Sequence, residues 1–391
     1  MPSFPSFGLL VPARQLLMAG SLGLLFVLSG CSLFSSSEDR NEPAALVQFT
    51  PTANIGVVWQ ASVGRGTTYG FAPAIVGNAI FAASADGQVV RLNAADGAQV
   101  WSQKVANEIS AGVGSDGNTV AVVTSEGEVI TLDANGGEKW RASASSEVSV
   151  VPWVGKGVVV VRAGDYRVQA FNAENGERIW SVQRPGPALA LRAPARMNTI
   201  QGLILTGMPG GRLLAIEPGS GAVVWEGIVA VPRGASDLER VNDVVGLPVV
   251  YGDLLCAVAY QGRVTCFNAK EGGRTIWANN FSSVVGMTND GKQVYVPDQR
   301  DRVAAFTLAD GKPVWTQGAL LNRRVTEPAV AGQYVLTGDF QGYVHALTVD
   351  QGALAARINV GGDRMLAPVQ AVAGDAIVQN GDSAVIRLRV N

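Results

Sequence analysis

The sequence is poor in the residues that do chemistry. Its 391 residues include one histidine, His345, and three cysteines, and charged side chains make up only 16% of the chain. His345 falls on a repeated strand where equivalent positions carry Ala304 or Leu214, so it reads as a structural residue. No HExxH, CxxC, GxSxG or phosphate-loop spacing occurs, and no pair of carboxylates stands out for acid–base work. No Asp, Glu or Asn cluster marks a calcium site either, so neither metal nor cofactor is expected and the protein reads as no enzyme. The formal net charge is −2 and no basic patch appears, which argues against a nucleic-acid partner. Beyond residue 28 there is no second apolar run able to cross a membrane. What is abundant is glycine, 47 residues of it, among short apolar runs. That is the composition of an all-β protein with many tight turns.

The N-terminus is an address. Arg14 supplies a short basic start, and Leu16 to Leu28 form an apolar run too short to remain as a membrane span. Leu28-Ser29-Gly30-Cys31 closes it and resembles a bacterial lipobox, which implies that residues 1–30 are a signal peptide and that Cys31 becomes the lipidated first residue. Ser32 after the cysteine, where Asp would signal retention, implies an outer-membrane destination on the periplasmic face. A diacylated cysteine meets the two-chain condition for a stable anchor. The polar, Ser-rich stretch that follows is expected to be a flexible tether, so residues 31–54 are read as tether and 55–391 as the folded domain.

Cys256 and Cys266 flank Tyr260-Gln261-Gly262 symmetrically, so a hairpin of odd loop length sets them face to face, within disulfide reach in an oxidising compartment. Sister repeats carry Ala170, Ala215, Ala305 and Ala346 where Cys266 stands, so a small core residue is the other reading.

A glycine followed after three residues by tryptophan recurs at Gly97–Trp101, Gly136–Trp140, Gly176–Trp180, Gly221–Trp225, Gly273–Trp277 and Gly311–Trp315; Gly352 repeats it with Ala356 in the Trp place, and Trp59 stands alone upstream. From Trp59 to Ala356 the intervals are 42, 39, 40, 45, 52, 38 and 41 residues. A period near forty built from short strands signals a β-propeller. Eight strands of one pattern precede the glycine turns, from Gln88–Asn93 to Ala384–Arg389, and the last has no Trp strand after it. The expectation is therefore an eight-bladed propeller of four-stranded antiparallel blades, in which the orphan strand around Trp59 completes the last blade and removes an open sheet edge. The tryptophans themselves read as packing between blades.

Two intervals run long, and the surplus falls in Arg184–Arg196 and Ala230–Asp243. Each follows a Trp strand and leads into the next blade, so both loops emerge on one face, side by side. Long insertions on one face mark either a binding face or neutral drift in loop length.

Val296-Pro-Asp-Gln-Arg-Asp-Arg-Val303, Val314-Trp-Thr-Gln317, Leu320-Leu321 and Gly338-Asp-Phe-Gln-Gly-Tyr343, together with the lipobox, resemble the BamB family of β-barrel assembly lipoproteins. The resemblance covers nearly the whole chain. It implies a non-enzymatic scaffold that docks on the periplasmic POTRA domains of BamA within the assembly complex and assists insertion of outer-membrane barrels. It also implies partner contacts at Leu189, Leu191 and Arg192 in the first long loop and at Asp243 in the second; Val245 replaces a second aspartate of the family pattern. Two leucines beside an arginine suit an interface anchor, although the leucines could instead tuck against the propeller's own rim. Unfolded outer-membrane proteins are a second candidate partner, through β-augmentation on outer strand edges, a feature every propeller has. The repeats also resemble those of quinoprotein dehydrogenases, which bind pyrroloquinoline quinone and calcium on an eight-bladed propeller, and this implies an enzymatic alternative. Typical members of that group carry a vicinal cysteine pair beside the quinone; here the cysteines are ten residues apart.

Overall fold

The computed structural model describes residues 41–187, 189–191 and 195–391. Contacts divide the chain into Met1–Glu42 and Pro43–Asn391, and the fold described below is that of the second unit. Cys31, the expected lipidation site, lies outside the described residues.

Eight antiparallel sheets follow one another along the chain. Blades one to seven span residues 74–104, 109–143, 153–183, 197–228, 244–280, 288–317 and 329–359. Blade eight joins Gln370–Val372, Asp375–Gln379 and Ala384–Val390 to the N-terminal strand Ile55–Ser62. The first and last strands pair antiparallel, with Ile55 opposite Val390 and Ser62 opposite Ala384. Within each blade the two middle strands are almost wholly buried, because apolar side chains fill both of their faces; Thr119–Thr124 and Asp375–Gln379 are buried at every position. Blade two departs from four strands. Gly70–Phe71, on the way from blade eight to blade one, adds a short fifth strand parallel to Ile109–Ser115.

The Gly–Trp repeat has a mechanical reason. In every blade the pairing of the outer strand shifts by one residue beside the Trp position, as between Val57 and Trp59 or between Glu138 and Trp140. Such a bulge bends the strand and re-aims the side chain. Each indole is thereby turned onto the glycine turn of the next blade. Trp140 covers Gly176, where an added Cβ would come within 2.6 Å of the ring, and its Nε1 donates to the Ala173 carbonyl at 3.0 Å. Trp101, Trp180, Trp277 and Trp315 make the same bond to Ala134, Pro218, Leu308 and Val349. The glycine is needed twice over, since its φ is positive (+75° at Gly176) and the indole leaves no room for a side chain.

Ala356 follows from the same rule. The blade after it is blade eight, whose outer strand is supplied from the chain's other end and so has no glycine turn to cover. The Ala355 carbonyl instead accepts the N–H groups of Thr52 and Ala53, at 2.9 and 3.1 Å, and Ala356 packs in one cluster with Ile55.

Residues 43–54 have no regular strand but do have partners, so the docked chain begins earlier than residue 55, where the sequence reading ends its flexible tether. Ala44 N–H donates to the Leu321 carbonyl at 2.9 Å, and Arg323 Nη1 donates to the Ala44 carbonyl at 2.8 Å. Arg357 Nη2 donates to the Val47 carbonyl at 2.6 Å, and its guanidinium stacks 5.1 Å from the Phe49 ring centroid. Polar composition suggests a free chain only when no distant groups compete for its carbonyls. Here two arginines from far along the chain do so, 279 and 310 residues away.

Cys256 stands directly opposite Cys266 in blade five, with Cα atoms 4.1 Å apart, and the two form a disulfide in the blade core.

Candidate functional site

Both long loops run from the outer strand of one blade to the first strand of the next, so they share a face with the hairpins between the two middle strands of each blade. Loop one (184–196) crosses from blade three to blade four, and loop two (229–243) from blade four to blade five. Leu189 is 47% exposed in loop one, and Val231 and Leu238 are 57% and 71% exposed in loop two. Ile228, at the end of blade four's outer strand, is 59% exposed. Large apolar side chains held in water at adjacent connections are the kind of patch that marks an interface.

Loop two presents Leu238 by closing on itself. Glu239 Oε2 accepts the N–H groups of Ala235 and Ser236 at 2.8 and 3.1 Å, while the Ser236 hydroxyl accepts the Glu239 N–H at 3.3 Å. This is the reciprocal arrangement of a capping box, and those backbone donors hold the Glu239 carboxyl below its usual pKa. Leu238, inside the turn, has nowhere to go but outward.

The site residues expected from sequence separate into distinct positions. Leu189 is exposed and Leu191 is partly buried. Arg192 lies outside the described residues. Asp243 is only 4% exposed, and its carboxylate accepts the Leu191 N–H. Its own carbonyl accepts the Tyr260 N–H at 2.8 Å, so one residue ties loop one to blade five's hairpin. Burial pushes the Asp243 pKa up, against the Leu191 N–H and the charge of Arg162, which draw it down. Val245 is buried in blade five's core, where it packs as an apolar residue.

Composition gave no hint of the funnel at the centre of the same face. A cavity of about 340 Å³ opens there, walled in part by Tyr69, Phe71, Leu191, Arg324, Arg364 and Met365. Arg364 stacks 5.4 Å from the Tyr69 ring centroid and donates to its hydroxyl. Arg324 has a φ of +53° and is held there by Asp301, whose carboxylate accepts the N–H groups of Arg324 and Val325 at 2.7 and 3.1 Å. Burial pushes Asp301 up to about 6. Glu327 pairs with Arg196 at 3.0 Å and accepts the Leu247 N–H at 3.0 Å; burial raises its pKa too, against the pull of Arg196. The signal for the funnel wall was the Asp298–Val303 run. Asp298 closes that hairpin through Arg300 and Arg302, and Asp301 reaches across to the next connection.

His345 does not line this cavity. It is wholly buried in blade seven, 2.8 Å from Asp339, which also binds Arg323 at 2.7 Å. Burial drives the imidazole pKa down, while at Asp339 the hydrogen bonds from His345 and Arg323 outweigh burial and hold the carboxyl low. The result is a neutral imidazole bracing a carboxylate that anchors Arg323, the residue that grips Ala44. Among the described residues no group of three or more His, Cys, Asp or Glu could hold a metal ion.

A family model described as "Outer membrane protein assembly factor BamB" matches residues 52–111 and 85–317. The outer membrane protein assembly factor BamB of Bordetella pertussis is 52% identical over 380 residues, covering 97% of this chain and 98% of that protein. The crystal structure of BamB from Moraxella catarrhalis superposes with a TM-score of 0.80 at 24% identity, over 86% of this chain and 100% of that one. A europium-containing methanol dehydrogenase reaches a TM-score of 0.66 at 15% identity, over 84% and 85% of the two chains, a likeness of fold alone.

Proposed function

The chain belongs to the BamB family of outer-membrane protein assembly factors, and from that premise we propose that it acts without catalysis, as a lipid-anchored scaffold that docks its long-loop face on the POTRA domains of BamA. Lipid on Cys31 holds it to the periplasmic face of the outer membrane, and docking places it in the complex that folds and inserts β-barrels. The observation that carries this reading is the pairing of exposure with restraint. Leu189 and Leu238 stand in water on adjacent loops, while Asp243 holds the backbone beneath loop one. Apolar anchors already fixed before binding lose little entropy on docking, which is how a small patch gains affinity. Arg192, the residue after Leu191 in loop one, adds the cationic contact of this anchor.

The test is affinity. A chain beginning at residue 43, free of its lipid, should bind purified POTRA domains with one-to-one stoichiometry by calorimetry. Absence of binding at micromolar concentrations, with both partners folded, would contradict the docking reading.

A further inference from the structure

We propose that the central funnel is an anion-accepting site, filled on docking by an acidic group of the POTRA partner carried beside an apolar one, with Arg324 and Arg364 gripping the carboxylate at the mouth. The proposal rests on the docking reading above and adds the chemistry of one contact to it.

The funnel carries a surplus of positive charge. Arg324 sits in the connection from blade six to blade seven and Arg364 in that from blade seven to blade eight; both are exposed, and both wall the cavity of about 340 Å³. Neither takes part in an ion pair among the described residues. The cavity's own carboxylates are engaged elsewhere. Asp301 accepts the backbone N–H groups of Arg324 and Val325, and Glu327 pairs with Arg196 and accepts the Leu247 N–H.

Both arginines are fixed in advance. Asn322 and Arg324 have φ of +57° and +53°, backbone that is uphill for residues other than glycine. Blade six's hairpin holds it at two points: the Arg300 carbonyl accepts the Asn322 N–H at 2.9 Å, and the Asp301 carboxylate accepts the Arg324 N–H at 2.7 Å. The result is that two consecutive arginines part. Arg323 turns into the core, where it binds Asp339, and Arg324 stays exposed at the funnel. Arg364 is braced by Tyr69, whose ring centroid lies 5.4 Å from the guanidinium and whose hydroxyl accepts its hydrogen bond. A guanidinium held this way loses little freedom on binding, and its planar fork matches a carboxylate.

The funnel is continuous with the docking face. Leu191 of loop one lies in its wall, so a partner seated on that loop overlies the mouth. Covering two unpaired guanidinia with neutral surface would strip their hydration without return, so the docked surface has to bring an anion to them. Deeper in the wall Phe71 and Met365 are buried and apolar, which suits an apolar side chain next to the acid. The cavity falls at the lower end of the range for binding pockets, about 300–1,000 Å³.

The experiment uses the folded chain from residue 43 as wild type, as Arg324→Gln/Arg364→Gln, and as Arg274→Gln, which removes an exposed charge at the opposite end of blade five. Association and dissociation rates with purified POTRA domains are read by surface plasmon resonance, and melting curves confirm folding. The double variant should bind roughly thirty-fold more weakly or worse, with the loss in the dissociation rate, and Arg274→Gln should bind like wild type. Unchanged affinity in the folded double variant overturns the proposal and leaves docking through the loops standing. A loss confined to the association rate shows long-range steering and also overturns it. A small probe reads the funnel without the partner: N-acetylphenylalanine should shift the backbone amide signals of Arg324 and Arg364 in wild type, and its uncharged amide should not. If wild type fails to bind POTRA domains, the docking reading has failed and the probe alone decides; shifts that require the carboxylate keep the anion site, and their absence overturns it.

Discussion

The indole Nε1 of Trp59 donates a 3.1 Å hydrogen bond to the carbonyl of Ala94, joining the first strand of the domain, which completes blade eight, to the glycine turn of blade one. Trp59 also covers Gly97, where an added Cβ would meet the ring at 2.6 Å. The ring of blades is therefore closed twice, once by strand pairing inside blade eight and once by the indole-on-glycine contact that the Trp junctions of blades one to six repeat.

A chain beginning at residue 65 should lose both closures and expose the edge of Ala384–Val390. It should aggregate or melt far below a chain beginning at residue 43. Trp59→Ala keeps the strand and removes only the wedge, so it should cost about 3–5 kcal/mol by denaturant unfolding. Equal midpoints for the two chain lengths would show that the N-terminal strand is dispensable.

Gly311→Ala should be costly, because the position has a φ of +70° and the Trp277 ring lies 2.5 Å from the added Cβ. Strain at such a site is of order 1–3 kcal/mol before the clash is counted. Gly318→Ala, with nothing within 4 Å of its Cβ, is the control and should melt like wild type. If both variants melt alike, the wedge account of the repeat is wrong.

Much of this architecture was legible in the sequence because it depends on short-range regularities. The forty-residue period, the eight strands before glycine turns and the orphan strand at Trp59 are enough to count blades and close the ring. The docked stretch at residues 44–53 was not legible, since Ala44 and Val47 owe their places to Arg323 and Arg357 far along the chain. Nor was the burial of Asp243. An aspartate in a long polar loop reads as exposed until the fold brings Leu191 to it. Ala356 stands in the Trp place of the repeat in sequence, and it is the one Trp position with no glycine turn to cover.

Arg357→Ala should free residues 43–51 without unfolding the ring, since it removes the bond to Val47 and the stack on Phe49. The expected result is faster amide exchange and new protease cleavage near Phe49, with little change in melting temperature. Unchanged protection there would mean that Arg323 and Leu321 suffice to dock the segment.

Asp301 has a pH signature. Burial raises its pKa to about 6 in the folded state, so between the ordinary carboxylate range near pH 4 and pH 6 the native form holds a proton that the unfolded chain has lost. Its contribution therefore falls as pH rises through that window, by up to roughly 3 kcal/mol for a shift of this size. Asp301→Asn should flatten the pH dependence of unfolding free energy between pH 4 and 6, and a slope identical to wild type would show that Asp301 titrates normally.

The central claim is that the long-loop face is the docking surface, and its most direct test is the affinity of Leu189→Asp for BamA POTRA domains. Leu189 is 47% exposed, so the fold should tolerate the change, which melting curves would verify. Binding should weaken by at least roughly thirty-fold, the loss of about 2 kcal/mol expected at a central contact, and Arg192→Glu should act in the same direction. Arg178→Glu, an exposed charge reversal at the opposite end of blade three, should bind like wild type. Folded Leu189→Asp protein that binds POTRA domains as tightly as wild type would contradict the account.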